Sequence, residues 1–383
     1  MTRQGNWWPT EDQTLLLHAG LMCVDDALDA WHRVEPRLDL ARLDESSRRL
    51  LPLVYANLRE HQSMARGPGR LAEDYRTAWL WNQRGRQRAT EIVDALARAG
   101  IRSIALKGLA LIVTCYRDAG ARPMGDVDLL VPAELAVPAA EVLRGAGWTA
   151  RHALTPAFLE VKHAAPFVGE QGEELDLHWR VFEEACAPEA DEAWWAASRV
   201  VDVRGTRFGV LAPADQLLHV CVHGAKWTWR PAIHWIADAV SIVRAGDVDW
   251  ARLVAQARAR RFTLRARETL EFLAASMQAP IPREVLMELA GVPPSALERF
   301  EYRVHSGAHP RLGELPRYWC NYLRSRPGGI LRPLGFARYL QRAWELPSLA
   351  DVPARALALA ARRLRAPRSP GRAAGAPESS GSG

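Results

Sequence analysis

At 383 residues, with 48% hydrophobic and 25% charged residues, the chain is long enough for a substantial core and two or three domains, and its composition is that of a globular protein. The net charge of +6 is spread over 50 basic and 44 acidic side chains, with lysine at only positions 107, 162 and 226 and part of the basic excess in the C-terminal ARRLRAPRSPGR; this argues against a dedicated nucleic-acid groove. The chain has no long apolar run for a membrane span and no apolar signal segment after Met1, and its five scattered cysteines (Cys23, Cys115, Cys186, Cys221, Cys320) lack CxxC spacing, so a cytoplasmic protein with reduced thiols and no membrane contact is expected.

The first 100 residues read as helices. Thr10 caps a helix to Leu21, with Glu11 and Asp12 in its first turn. An amphipathic stripe of Leu50, Leu51, Val54, Tyr55 and Leu58 predicts one helix from Glu45 to His61, and a longer helix runs from about Gly69 to Ala99. The Gly100 stop before IRSIALKG marks the start of a core expected over 101–210, between helical regions at 1–100 and 211–365. In that core Ser103 to Leu106 is a short strand, Lys107-Gly108 a turn, and Leu109 to Tyr116 an apolar helix. A glycine there lets backbone approach a ligand, the helix start favours phosphate, and Lys107 adds a point charge; Arg122 is placed to add a bidentate phosphate contact.

GDVDLLV then reads as a buried strand. The period of two puts Asp126 and Asp128 on one face and Val127, Leu129 and Val131 on the other. Two like charges on an apolar strand need a cation, and a divalent metal is the natural candidate. A helix follows over Ala133 to Arg144. The turn at Gly169–Gly172 predicts a hairpin of His163–Val168 with EELDLHW, in which Asp176 and His178 share a face opposite Leu175, Leu177 and Trp179. If the two acidic strands are neighbours in one sheet, Asp126, Asp128 and Asp176 converge on one point, a donor set for Mg²⁺ or Mn²⁺ rather than zinc. His178 reads as structural, orienting Asp176, with direct contact to nucleotide or acceptor as the alternative. A second hairpin turns at Gly205. Helices follow over Pro213–Ala225, Ala232–Arg244, Trp250–Arg260 and Thr263–Met277, shorter pieces to Gly329, then Phe336–Trp344 and Pro353–Leu364; the tail 366–383 has the composition of a disordered segment. His219 and His223, spaced i, i+4 on an apolar helix, read as packed side chains, with His223 an option for the acceptor side of the cleft. Asp238 is expected either to bond His234 or an arginine or to face the site, and the tryptophans, Trp194-Trp195, Trp227, Trp229 and Trp235 among them, to pack the core.

Strand–LKG–helix, then RPMGDVDLLV, then ELDLHW, resembles the nucleotidyltransferase fold of the DNA polymerase beta superfamily. Within it the chain is most similar to the bacterial family described as uncharacterised nucleotidyltransferases, over roughly Ile101 to Trp179 and more weakly through His219 to Val240. The resemblance implies an α/β (α+β) fold, a small mixed-sheet core flanked by helices. It implies that Asp126 and Asp128 hold two metal ions, that Asp176 completes the site of the ion activating the acceptor, and that Lys107, Gly108 and Arg122 hold the phosphates of an NTP such as ATP. Two features depart from the superfamily pattern: Lys107-Gly108 stands where relatives have Gly-Ser, and 17 residues (109–125) precede the first aspartate, a longer gap than usual. The expected function is metal-dependent transfer of a nucleoside monophosphate to a hydroxyl of a small molecule, a peptide or a protein; the neighbourhood of such genes in natural-product biosynthesis favours the first two. The competing readings are a non-catalytic nucleotide- or partner-binding module, a nucleic-acid binder, which no basic-aromatic cluster in the core supports, and a metal-dependent phosphohydrolase, which would need histidines in the carboxylate site.

Overall fold

Seven strands form one mixed sheet in the order β3-β4-β5-β2-β1-β7-β6, with β1 Ile104–Leu106, β2 Val127–Leu130, β3 Thr149–Ala150, β4 Ala164–Val168, β5 Glu174–His178, β6 Arg199–Val203 and β7 Thr206–Val210. The computed structural model describes residues 5–59, 69–184, 189–226, 232–306, 315–325 and 333–365; the tail 366–383, Cys186, Trp227 and Trp229 lie outside the described residues. At the sheet centre β1 pairs antiparallel with β2 and parallel with β7, and β2 pairs parallel with β5. The two expected hairpins are β4–β5 and β6–β7. The second turns through Arg204 and Gly205 at φ 55° and 89°, positive at both central positions, as a two-residue connection between right-twisted strands requires.

Alternation along the strands divides the interior in two. Ala105, Val127, Leu129, Val131, Leu175, Leu177 and Trp179 face one core, closed by Ala89, Ile92 and Leu96 of the Gly69–Arg98 helix and by Ala139 and Leu143 of the Ala136–Gly145 helix. Ile104, Leu106 and Leu130 point the other way, into a larger core shared by helices that precede the sheet and helices that follow it. There Leu16 and Leu17 of Glu11–Leu21 and Val54 of Leu51–Leu58 join Leu217 of Pro213–Gly224, Ile236 of Trp235–Ala245 and Leu273 of Thr263–Met277. A third cluster seats Tyr318, Tyr322, Tyr339 and Leu340 on Val161. The four described cysteines are free thiols, and among the described residues no helix is long and apolar enough to cross a membrane.

One expected element divides. The stretch read as a single helix from Glu45 forms two, Glu45–Arg48 and Leu51–Leu58, with Arg49 and Leu50 at the break. Pro52 is the cause: it has no N–H to donate to the Arg48 carbonyl, and its ring clashes there. The Thr10 cap is a full capping box with Gln13, and the Gly69–Arg98 helix forms as one element. The helix expected from Ala232 begins at Trp235.

Candidate active site

Register assembles the site. In the β2–β5 pair Asp128 lies opposite Asp176 and Leu130 opposite His178; in the β1–β2 pair Leu106 lies opposite Asp128, so the next residue, Lys107, arrives beside that carboxylate. Lys107 opens the Lys107–Thr114 helix with φ 43°, a left-handed conformation uncommon for a side chain with a Cβ. Its Nζ donates to Asp128 Oδ1 at 2.5 Å, and His178 Nε2 lies 3.0 Å from the same oxygen. His178 therefore serves Asp128 rather than Asp176, because the register sets it two residues along the same face. Gly108 is required by close approach: a Cβ there would lie 2.6 Å from Arg122 Nη1 and 2.9 Å from Met124 Cγ.

The three aspartates have unlike surroundings. Asp128 is buried at 1% exposure; burial alone would raise its pKa, but Lys107 and His178 hold it well below the ordinary carboxylate range. Asp126 stands just before β2, half-buried, with no hydrogen bond or ion pair among the described residues. Burial, then the Asp128 charge, pushes its pKa up to about 6. Asp176, also half-buried and unpaired among the described residues, is raised by burial and by Asp128. Lys107 is 22% exposed, and the Asp128 and Asp126 charges raise its pKa against the opposing effect of burial.

Asp128, Asp176 and His178 each offer a donor atom within 4.8 Å of the others, while Asp126 stands outside that tightest group. The donor set fits a divalent cation. Asp126 and Asp176 are partly desolvated carboxylates that no described side chain pairs with directly, and bound charge would relieve both. The imidazole is the one softer donor, and it is already engaged by Asp128.

Beside Asp126 and Asp128 opens a cavity of about 230 Å³, bordered also by Lys107, Gly108, Arg122, Asp238, His219 and His223. Asp176 does not line it. Arg122 is buried and forked onto Asp238, Nε to Oδ1 at 2.9 Å and Nη2 to Oδ2 at 3.0 Å, and Tyr116 Oη donates to Asp238 Oδ1 at 2.8 Å. Asp238 thus bonds an arginine and reaches the cavity at once. Burial lowers the His219 pKa to about 3 and carries that of His223 well below its ordinary value, so both are neutral at neutral pH. Of the charged and histidine side chains at the cavity, sequence reasoning missed Arg49 and took His234 only as a possible partner of Asp238. Pro52 carried the signal for Arg49, since the helix break it causes is where Arg49 sits.

The model of the family described as uncharacterised nucleotidyltransferases matches residues 45–278, well over half of the chain, and so takes in every residue named above around the carboxylates. No curated protein matches the sequence. A solved structure with some likeness is an antigenic nucleotidyltransferase-like protein from Paracoccidioides brasiliensis, 14% identical, covering 56% of this chain and 97% of that one, with a TM-score of 0.32, too low to carry an argument.

Proposed function

The chain belongs to the family of uncharacterised nucleotidyltransferases, and on that premise we propose that it moves a nucleoside monophosphate from an NTP to an acceptor hydroxyl at Asp126, Asp128 and Asp176. The observation that carries this reading is the β2–β5 register, which sets Asp128 against Asp176 beside the Lys107–Gly108 helix start, with Asp126 at the strand mouth. Mg²⁺ or Mn²⁺ held by these carboxylates would neutralise phosphate charge and lower the pKa of the acceptor hydroxyl. The protein's own share is positioning and electrostatics. Asp128 is fixed by His178, so its carboxylate is preorganised. Lys107, held on Asp128, sets a positive charge at the helix start where a phosphate would lie. The acceptor hydroxyl enters on the Asp176 side, because the cavity opens on the Asp126 side. Small molecules, peptides and proteins remain the acceptor classes, and the resemblance to the polymerase beta superfamily is part of the same reading.

Calorimetric titration with the four NTPs, with and without Mg²⁺, tests it. Metal-dependent binding is expected for the wild type and a loss of that dependence for Asp126→Asn. Asp126 is the cleaner substitution, because Asp128→Asn also takes the counter-charge from Lys107. Equal metal-dependent binding by Asp126→Asn would remove the carboxylate assignment. The binding-only alternative draws on the Lys107–Asp128 contact, which neutralises a metal-site carboxylate internally. It predicts NTP binding that is indifferent to Mg²⁺.

A further inference from the structure

Three cationic side chains border the cavity, and two are already committed: Lys107 to Asp128, and Arg122 to Asp238 through both arms of its fork. Arg49 differs. Its Nη2 donates to the Pro123 carbonyl at 3.1 Å, its Nε is buried with no hydrogen-bond partner, and no carboxylate lies within ion-pair distance among the described residues. His234 borders the same cavity, and its Nδ1 is likewise buried without a partner. Buried polar atoms are normally satisfied, and two orphans on one cavity need a common explanation.

We propose that Arg49 and His234 form a polyphosphate subsite that receives the β- and γ-phosphates of the NTP, while Arg122 is a buttress held by Asp238 rather than a phosphate contact. This deepens the nucleotidyltransferase reading and rests on it for the identity of the nucleotide. Charge supports the choice of ligand. Of the acids at the cavity, Asp128 and Asp238 pair with Lys107 and Arg122, while Asp126 acts on Arg49 through its charge without a direct ion pair; a metal or a proton on Asp126 leaves Arg49 as the unbalanced positive charge. Guanidinium, with several fixed N–H donors, matches phosphate oxygens, and a neutral His234 adds one N–H in its Nδ1 tautomer. Volume supports it too. About 230 Å³ equals the liquid volume of roughly eight waters at about 30 Å³ each, and falls short of the roughly 300–1,000 Å³ of pockets that enclose a drug-sized ligand. A phosphate chain fits inside, with the ribose and base at the mouth. The Pro52 break lets a residue from the N-terminal helices join a site otherwise built on the sheet and on the Pro213–Gly224 and Trp235–Ala245 helices.

The test is calorimetric titration of the full chain with sodium tripolyphosphate, free of metal, and separately with Mg·NTP. The wild type is expected to bind tripolyphosphate, Arg49→Gln to bind it at least tenfold more weakly, and Arg49→Lys, which keeps the charge but not the fork, to fall between them. Asp126→Asn should bind tripolyphosphate at least as tightly as the wild type, because it removes an opposing charge. Melting curves identify any variant that fails to fold; should Arg49→Gln be one, His234→Gln against Arg49→Lys gives the same comparison. Unchanged tripolyphosphate binding by Arg49→Gln, or none by the wild type, overturns the subsite. If Arg49→Gln keeps Mg·NTP binding that Asp126→Asn loses, the subsite falls and the transferase reading stands. If Arg49→Gln loses tripolyphosphate binding while Mg²⁺ has no effect on NTP binding, the subsite stands and the metal-dependent reading falls.

Discussion

Asp126 and Asp128 are neighbours but one, yet their carboxyls are held at opposite ends of the acid range. The difference is one of partners: Lys107 and His178 both reach Asp128, and no described side chain reaches Asp126, whose pKa of about 6 follows from burial and from the Asp128 charge. Raised from 3.8 to about 6, Asp126 disfavours ionisation in the fold, so without a cation its contribution to stability falls as pH rises through that interval. A metal ion reverses the sign by binding the ionised form, and below pH 6 it must first displace a proton. Apparent Mg²⁺ affinity is therefore expected to weaken about tenfold between pH 7 and pH 5, since a group of pKa near 6 is then about nine-tenths protonated. Titration of Mg²⁺ across that range checks this. Asp126→Asn should flatten the profile to whatever Asp176 contributes, and a steep profile surviving in that variant would assign the proton elsewhere.

The loop between the Lys107–Thr114 helix and β2 is pinned from three directions. Asn82 of the Gly69–Arg98 helix donates to the Ala119 and Arg122 carbonyls and accepts from Met124 N, Arg49 holds the Pro123 carbonyl, and Asp238 of the Trp235–Ala245 helix grips Arg122. The Arg122 and Asp238 side chains are 7% and 4% exposed, so replacing Asp238 strands a buried guanidinium. Asp238→Ala should lower the unfolding free energy by about 3–5 kcal/mol in urea titrations, as broken buried pairs do. A loss below about 1 kcal/mol would mean that water already shares the pair. This pair also marks where the sequence stops being legible. The strand faces and both hairpins follow from a period of two and local turn residues, and the meeting of Asp128 with Asp176 follows once β2 and β5 are neighbours. That Arg122 would be claimed by a carboxylate over a hundred residues away does not, because nothing local encodes it. Arg49 was obscured differently: the apolar stripe through Leu50 and Leu58 argued for one continuous helix, and Pro52 overrode it.

The N-terminal helices and the helices that follow the sheet share one core with it, so these helical regions are not appendages. Trp7, Leu16, Leu17 and Val54 lie in the same buried cluster as Leu217, Ile236, Val240 and Leu273, and the sheet adds Ile104, Leu106 and Leu130 to it. Removing residues 1–68 would bare the Trp235–Ala245 and Thr263–Met277 helices, the former carrying Asp238, and would take Arg49 with it. A chain beginning at Gly69 is therefore expected to lose cooperative unfolding and to bind hydrophobic dye, with thermal melting and dye fluorescence as the measurements. Mixing the fragment 1–68 back in should restore part of the transition, since the lost surface is complementary. A truncated chain that melts cooperatively and still binds Mg·NTP would mean that the sheet and C-terminal helices are self-sufficient. The N-terminal helices would then be separable from the site, and Arg49 could not be one of its required parts. Stability and ligand binding are thus expected to fail together at this end of the chain, because the helices that seal the core also carry the arginine that borders the carboxylates.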